Sequence, residues 1–230
     1  MYNGFFEVND EKLPGGTLYF YLGAYDLYFM RMAKCASGSI TIWLKQHIED
    51  IIPIQLHNIF DCTWDRSFTT IRNPFDRLVS SYKHFLHRKS IPPIMQVGGL
   101  EYIEFSEFVD RVIEVGHPEE LTDKDSVKEF FYNQMSGDIS LDVWEYILRM
   151  HTVPLTHSFC DARRFSDIIR FENLIDDWKE LLTKYTISYS PLPENNRVSG
   201  DAYWQYYDNR TRDIITEYYK EDLLTFDYRF

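Results

Sequence analysis

The sequence predicts an α/β domain built on a mainly parallel sheet. Short strand-like apolar runs alternate with longer segments of helical period, and the two segments richest in chemistry each lie where a strand-like run gives way to a helix-like one. The chain of 230 residues is 44% hydrophobic and 17% aromatic, enough to bury a substantial core in one domain.

Thr17–Leu22 and Asp26–Met32 are aromatic and apolar runs separated by Gly23, as a hairpin or two adjacent strands would be. Ile40, Trp43, Leu44, His47, Ile48 and Ile51 recur at helical spacing, which predicts a helix from Gly38 or Ser39. A strand follows over Ile52–Leu56, and another over Ser67–Ile71, which Arg72-Asn73-Pro74 ends. Leu78, Val79, Tyr82, Phe85 and Leu86 stripe a helix from about Phe75 to Arg88. Tyr102–Val115, Ser126–Met135 and Leu141–Met150 read as helices with acidic outer faces. Asp167–Phe171 reads as a short strand, Ile175–Tyr185 as an amphipathic helix, and the tail as a Pro/Asn loop followed by a helix over Asn209–Tyr219. The expected organisation is a single domain over 1–230, with residues 1–25 an N-terminal extension or hairpin and 100–150 a helical insertion on the acceptor side.

Charge is unevenly spread. The net formal charge of −12 and pI near 5.0 argue against a general nucleic-acid binder. Yet from Arg66 to Lys89 six bases (Arg66, Arg72, Arg77, Lys83, Arg88, Lys89) face Asp76 alone, whereas Glu101–Glu129 holds ten acids against three bases. The acidic run reads as solvated helix faces. Three cysteines (Cys35, Cys62, Cys160) form no CxxC, so neither a disulfide framework nor a zinc site is indicated. No signal peptide or membrane-spanning run is visible, from which a cytoplasmic location is expected.

The first chemical segment is the turn Lys34-Cys35-Ala36-Ser37-Gly38-Ser39, between a strand and a helix. Small residues let backbone N–H groups converge on an anion, the helix start adds its dipole, and Lys34 adds a mobile cation. Neither GxxxxGK[ST] nor GxGxxG is present. The alternative is that Ser37–Ser39 merely caps a helix. The second segment, Arg72-Asn-Pro-Phe-Asp-Arg77-Leu-Val-Ser80-Ser-Tyr82, holds an arginine at a strand end and Ser80 two turns into a helix. Such a pair can grip a phosphate monoester through charge-assisted hydrogen bonds. The alternative is an ordinary helix start with Arg77 paired to Asp76 on the surface.

Together these segments resemble the two donor-binding motifs of sulfotransferases, in particular carbohydrate sulfotransferases related to the chondroitin, dermatan and heparan 2-O enzymes. Arg170-Phe-Glu172-Asn-Leu174, Leu192-Pro-Glu-Asn-Asn196-Arg197, and the ending from Tyr207-Asp208 through Glu221-Asp222 to Tyr228 are also similar to family segments. Ala33 stands where the family usually has Pro, and Gly38 where it has Ser or Thr. The resemblance implies a P-loop-like three-layer fold, with a central mainly parallel sheet flanked by helices. It also implies transfer of a sulfuryl group from 3′-phosphoadenosine 5′-phosphosulfate to an acceptor hydroxyl, without a metal. Lys34, with Cys35, Ala36, Ser37, Gly38 and Ser39, is expected to hold the 5′-phosphosulfate. Arg72 and Ser80 are expected to hold the 3′-phosphate, with Asn196 and Arg197 completing the donor site. Lys34 is also expected to neutralise charge on the leaving oxygens.

For the acceptor base the expectation is His57, with His151, His157 and Glu172 as rivals. A glycan is the expected acceptor. Lys83, His84, His87, Arg88 and Lys89 would form a basic rim, with Arg163 and Arg164 as a second cluster. Two other functions remain open from the residues alone: a P-loop-like ATP-dependent small-molecule kinase, and a non-catalytic nucleotide-binding module.

Overall fold

The computed structural model describes residues 5–8, 11–14, 19–54, 64–86, 103–117, 142–158, 160–193 and 201–230; for 5–8, 11–14 and 142–146 only the backbone is described. These residues fall into two compact units. One is drawn from Met1–Arg72 and Cys160–Arg197, the other from Asn73–Glu120, Glu129–Phe159 and Val198–Phe230.

The first unit carries the sheets. Strands β1 (Phe5–Val8) and β2 (Glu11–Pro14) form an antiparallel two-stranded ribbon. Strands β3 (Tyr19–Leu22), β4 (Leu27–Met30), β5 (Ile51–Ile54), β6 (Ser67–Ile71) and β7 (Asp167–Arg170) form a five-stranded sheet in the order β5-β3-β4-β6-β7. The fold is α/β as expected, and the sheet is mixed. β3 pairs antiparallel with β4 and β5, while β4, β6 and β7 run parallel. The antiparallel pairing of β3 with β4 follows from the tight Gly23–Tyr25 connection, since a turn that short can join only antiparallel neighbours. All five residues of β6 are buried, as a central parallel strand requires.

Helices α1 (Ser37–His47) and α5 (Leu174–Lys184) cover one face of this sheet. Period-two alternation directs Phe20, Leu22, Leu27 and Phe29 into the same core as Phe68 and Ile169. Phe29 stacks on Phe68 with centroids 4.6 Å apart, and the helices meet where Trp43 lies edge-on to Trp178 at 5.0 Å. Trp43 donates its indole N–H to Ser190 Oγ at 2.7 Å, which ties α1 to the chain beyond α5 without leaving a buried donor unmet.

The second unit is helical: α2 (Pro74–Leu86), α3 (Phe105–Val115), α4 (Asp142–Thr152), α6 (Asn209–Tyr218) and α7 (Lys220–Thr225). Its core gathers Phe75, Leu78, Tyr82 and Phe85 of α2, Phe105, Phe108 and Val112 of α3, Leu148 of α4, and Ile215 and Tyr219 from the tail. Pro74 opens α2, where a missing N–H leaves no bond unmade, and Asn73 accepts from the Phe75 N–H at 3.0 Å. The expected helix over Ser126–Met135 lies outside the described residues. Among the described residues no helix is long and apolar enough to cross a membrane.

Candidate functional site

Register explains why chemistry collects at one edge of the first unit's sheet. Met30 pairs with Thr69, Thr69 with Ile168, and Ile71 with Arg170. Parallel neighbours end on the same side, so the residues just past β4, β6 and β7 emerge together, which is where α/β sheets place ligands. Past β4 comes the Lys34 turn, past β6 comes Arg72, and past β7 comes Phe171.

The turn has an unusual backbone. Lys34 and Ala36 both have positive φ, 66° and 61°, with Cys35 between them outside that set. Alternation of φ sign over successive residues turns their N–H groups toward one side, as in anion-binding nests. Ala36 is also the residue that enters α1, so the helix N–H groups begin where the turn ends. The small side chains have local tasks. Ser37 is buried and its hydroxyl donates to the Met32 carbonyl at 2.7 Å, closing the turn on β4. Cys35 is wholly buried, its thiol turned to the Ala33 carbonyl at 3.5 Å. Cys35 therefore keeps its thiol out of a ligand's reach, and the proton of Ser37 is committed inside the protein. Lys34, Gly38 and Ser39 are partly exposed.

Arg72 joins the turn directly. Its Nη1 donates to the Lys34 carbonyl at 3.1 Å, and its guanidinium carbon lies 3.9 Å over the centroid of the Phe171 ring. The structure thus brings together Arg72 and the Lys34–Ser39 turn, which are 38 residues apart in sequence at their point of contact. Phe171 opens a three-residue 3-10 turn, Phe171–Asn173, that leads into α5. Arg170 anchors this junction by donating its N–H to Asp177 at 2.7 Å. Phe171 belongs to the Arg170–Leu174 motif, but sequence gives it no partner; only the adjacency of Ile71 and Arg170 in a parallel pair reveals one.

Ser80 lies on α2 in the second unit, partly exposed. The alternative reading of this segment, Arg77 paired with Asp76 on the surface, does not hold. Arg77 is 1% exposed, donates to the Val153 carbonyl and lies 5.7 Å over the Tyr219 ring. Proximity in sequence misleads here because Arg77 shares a second buried line of α2 with Ser81, whose hydroxyl bonds to the Arg77 and His151 carbonyls. Nearby, Asp222 is fully buried and accepts from the N–H groups of Leu155 (2.7 Å) and Thr156 (2.9 Å) and from the Thr156 hydroxyl (2.8 Å). Burial pushes the Asp222 carboxyl above the usual carboxylate range, against the opposing pull of Arg77 and these donors. Tyr219 donates to Thr152 and Tyr207 to Phe75, at 2.6 and 3.0 Å. These residues of the C-terminal motif pin the tail to α2 and the end of α4.

His57, Asn196, Arg197, His87, Arg88 and Lys89 lie outside the described residues. Of the rival bases, His157 is buried and Glu172 is exposed. His151 presents Nδ1 to the Ile147 carbonyl at 2.7 Å and stacks on His84 at 5.2 Å. A carbonyl can only accept, so that nitrogen carries the proton. Lys83 donates to the Asp201 carbonyl at 3.1 Å and lies 4.9 Å over Tyr206. Arg163 forms two hydrogen bonds to the Asp161 carboxylate at 2.7 and 3.0 Å, and Arg164 lies 3.7 Å from the same group, so this second basic cluster is offset by an acid. Among the described residues no group of three or more His, Cys, Asp or Glu is placed to hold a metal ion.

No curated protein and no solved structure matches the chain. A family model does, over residues 54–229, a span that opens at the last residue of β5 and takes in Arg72, Ser80, Phe171 and Asp222. The Lys34 turn precedes that span, so its contact with Arg72 is the link between them. With most of its length matched, this chain belongs to the sulfotransferase family.

Proposed function

We propose that this sulfotransferase takes its sulfuryl group from 3′-phosphoadenosine 5′-phosphosulfate and delivers it to a saccharide hydroxyl. The observation that carries the donor assignment is the hydrogen bond from Arg72 to the carbonyl of Lys34. It sets a guanidinium, the best bidentate partner for a phosphate, against a turn whose backbone suits a second anionic group. A donor bearing a 3′-phosphate and a 5′-phosphosulfate offers two such groups at separate points.

In this reading Lys34 and the N–H groups of residues 36–39 hold the 5′ end. Arg72 holds the 3′-phosphate, with Ser80, Asn196 and Arg197 as further contacts carried by the motifs. The donor supplies an activated sulfuryl group, and the protein supplies alignment and charge stabilisation for in-line displacement. Lys34, a compact cation on a long stem, neutralises charge that builds on the leaving phosphate oxygen. Gly38 removes a hydroxyl donor from the turn, which places more of that task on backbone N–H groups. His57 is the proposed base for the acceptor hydroxyl, and the preference for a saccharide rests on the motif resemblance. A kinase reading is not favoured by the family match.

Transfer of labelled sulfate to a panel of glycans, lipids and phenols tests this directly. The expected outcome is label on a glycan, lost in Lys34→Ala and Arg72→Ala and reduced at least about 100-fold in His57→Ala. Label only on phenols or lipids would overturn the acceptor class, and full turnover by His57→Ala would overturn the base.

A further inference from the structure

Donor binding by Arg72 does not by itself require the stacking of its guanidinium on Phe171. Phe171 is partly exposed, on a 3-10 turn directly after β7. Its position is not accidental to the fold. Ile71 and Arg170 are register partners in a parallel pair, so the next residue on each strand, Arg72 and Phe171, leaves the sheet side by side. The guanidinium carbon lies over the aromatic ring, 3.9 Å from its centroid. This contact restrains the guanidinium, and the same group donates to the Lys34 carbonyl at 3.1 Å. Lys34 is one of two residues in the turn held at positive φ, a conformation that a side chain bearing Cβ disfavours and that surrounding contacts must maintain.

We infer that Phe171 is a positioning residue, which locks Arg72 in a brace on the strained turn so that the 3′-phosphate reader and the 5′ turn act as one preorganised unit. The inference rests on the donor reading above. A guanidinium has five N–H donors, so one on Lys34 is compatible with a bidentate grip on phosphate by others. Two consequences distinguish this role from plain packing. The ring must be aromatic, not merely apolar. And loss of the ring must weaken a ligand that has no 3′-phosphate, because the brace acts on the turn as well.

Calorimetric titration with adenosine 3′,5′-bisphosphate and with adenosine 5′-phosphosulfate tests both. Phe171→Leu is expected to raise the Kd for each ligand about three- to tenfold, while Phe171→Tyr stays within about twofold of the unsubstituted chain. In an Arg72→Met background, Phe171→Leu is expected to add less than about twofold to the Kd for adenosine 5′-phosphosulfate, since the ring then has no cation to hold. Equal losses in the Leu and Tyr variants, or an undiminished Leu effect in the Arg72→Met background, would show packing alone and overturn the inference. A Leu variant that weakens only the bisphosphate would overturn the brace on the turn. If the unsubstituted chain binds neither ligand, the donor reading itself fails and takes the inference with it.

Discussion

Ala36 enters α1 with φ 61° and ψ 5°, where an alanine Cβ crowds its own backbone. Most helices in want of such a conformation use glycine, and here the chain places its only glycine of the turn two residues later, at Gly38. Ala36→Gly would relieve about 1–2 kcal/mol of left-handed strain. It would also add about 0.5–1 kcal/mol of freedom to the unfolded chain, which opposes the gain. The expected net is stabilisation of up to about 1 kcal/mol in urea titration. A loss of more than about 1 kcal/mol would show that the methyl packs, and that its contacts outweigh the strain. Ala36→Val should lose stability under the same titration, because a β-branched residue at positive φ is a severe outlier.

At the level of elements, two carboxylates tie segments that are far apart in sequence. Asp167, at the start of β7, accepts from Lys184 at 2.5 Å and Tyr185 at 2.7 Å, which close α5, and from Ser166 at 3.1 Å. Burial alone would raise its carboxyl, but the bonds from Lys184, Tyr185 and Ser166 outweigh it and hold the group below the usual carboxylate range. A folded value below the unfolded one means stability is present above about pH 4 and drains away as pH falls through the folded value. The bond to Asp167 raises Lys184, and burial followed by the same bond raises Tyr185, so their share is complete below about pH 10 and is lost as pH climbs through their folded values. Asp167→Asn is therefore expected to lower the midpoint of urea unfolding at pH 7 and to flatten its fall between about pH 5 and 2; an unchanged acid limb would show the tie is screened by solvent. Asp222 is the stronger tie, because its three donors are buried with it. Asp222→Ala should cost about 2–4 kcal/mol, since the Leu155 and Thr156 N–H groups lose their acceptor away from water. A loss below about 1 kcal/mol would mean that water or a neighbouring carbonyl replaces the carboxylate.

For the molecule as a whole, legibility tracked how local the cause was. β6 and the first turns of α2 were readable to within a residue, because an apolar run, a proline and a helical stripe are all written in consecutive residues. The burial of Arg77 against Val153, and the meeting of Arg72 with Phe171, arise from pairings across 76 and 99 positions that no local pattern encodes. The proposed donor site was legible as two motifs and not as one brace, since the Lys34 turn and Arg72 join only through the order of strands. That arrangement makes a test on the intact chain informative. A ligand that binds the folded state alone stabilises it by RT ln(1 + [L]/Kd), about 2.7 kcal/mol at one hundred times Kd. For a chain of this size each kcal/mol moves Tm by about 2–4 °C, so saturating adenosine 3′,5′-bisphosphate should raise Tm by about 5–10 °C. ATP with Mg²⁺ lacks a 3′-phosphate for Arg72 and should shift it by less than about 2 °C at the same concentration. Arg72→Ala should abolish the bisphosphate shift, because it removes the proposed phosphate partner together with the hydrogen bond to the Lys34 carbonyl. A larger shift with ATP than with the bisphosphate would assign the turn to a kinase-type donor, and a full shift in Arg72→Ala would move the 3′-phosphate to another part of the chain.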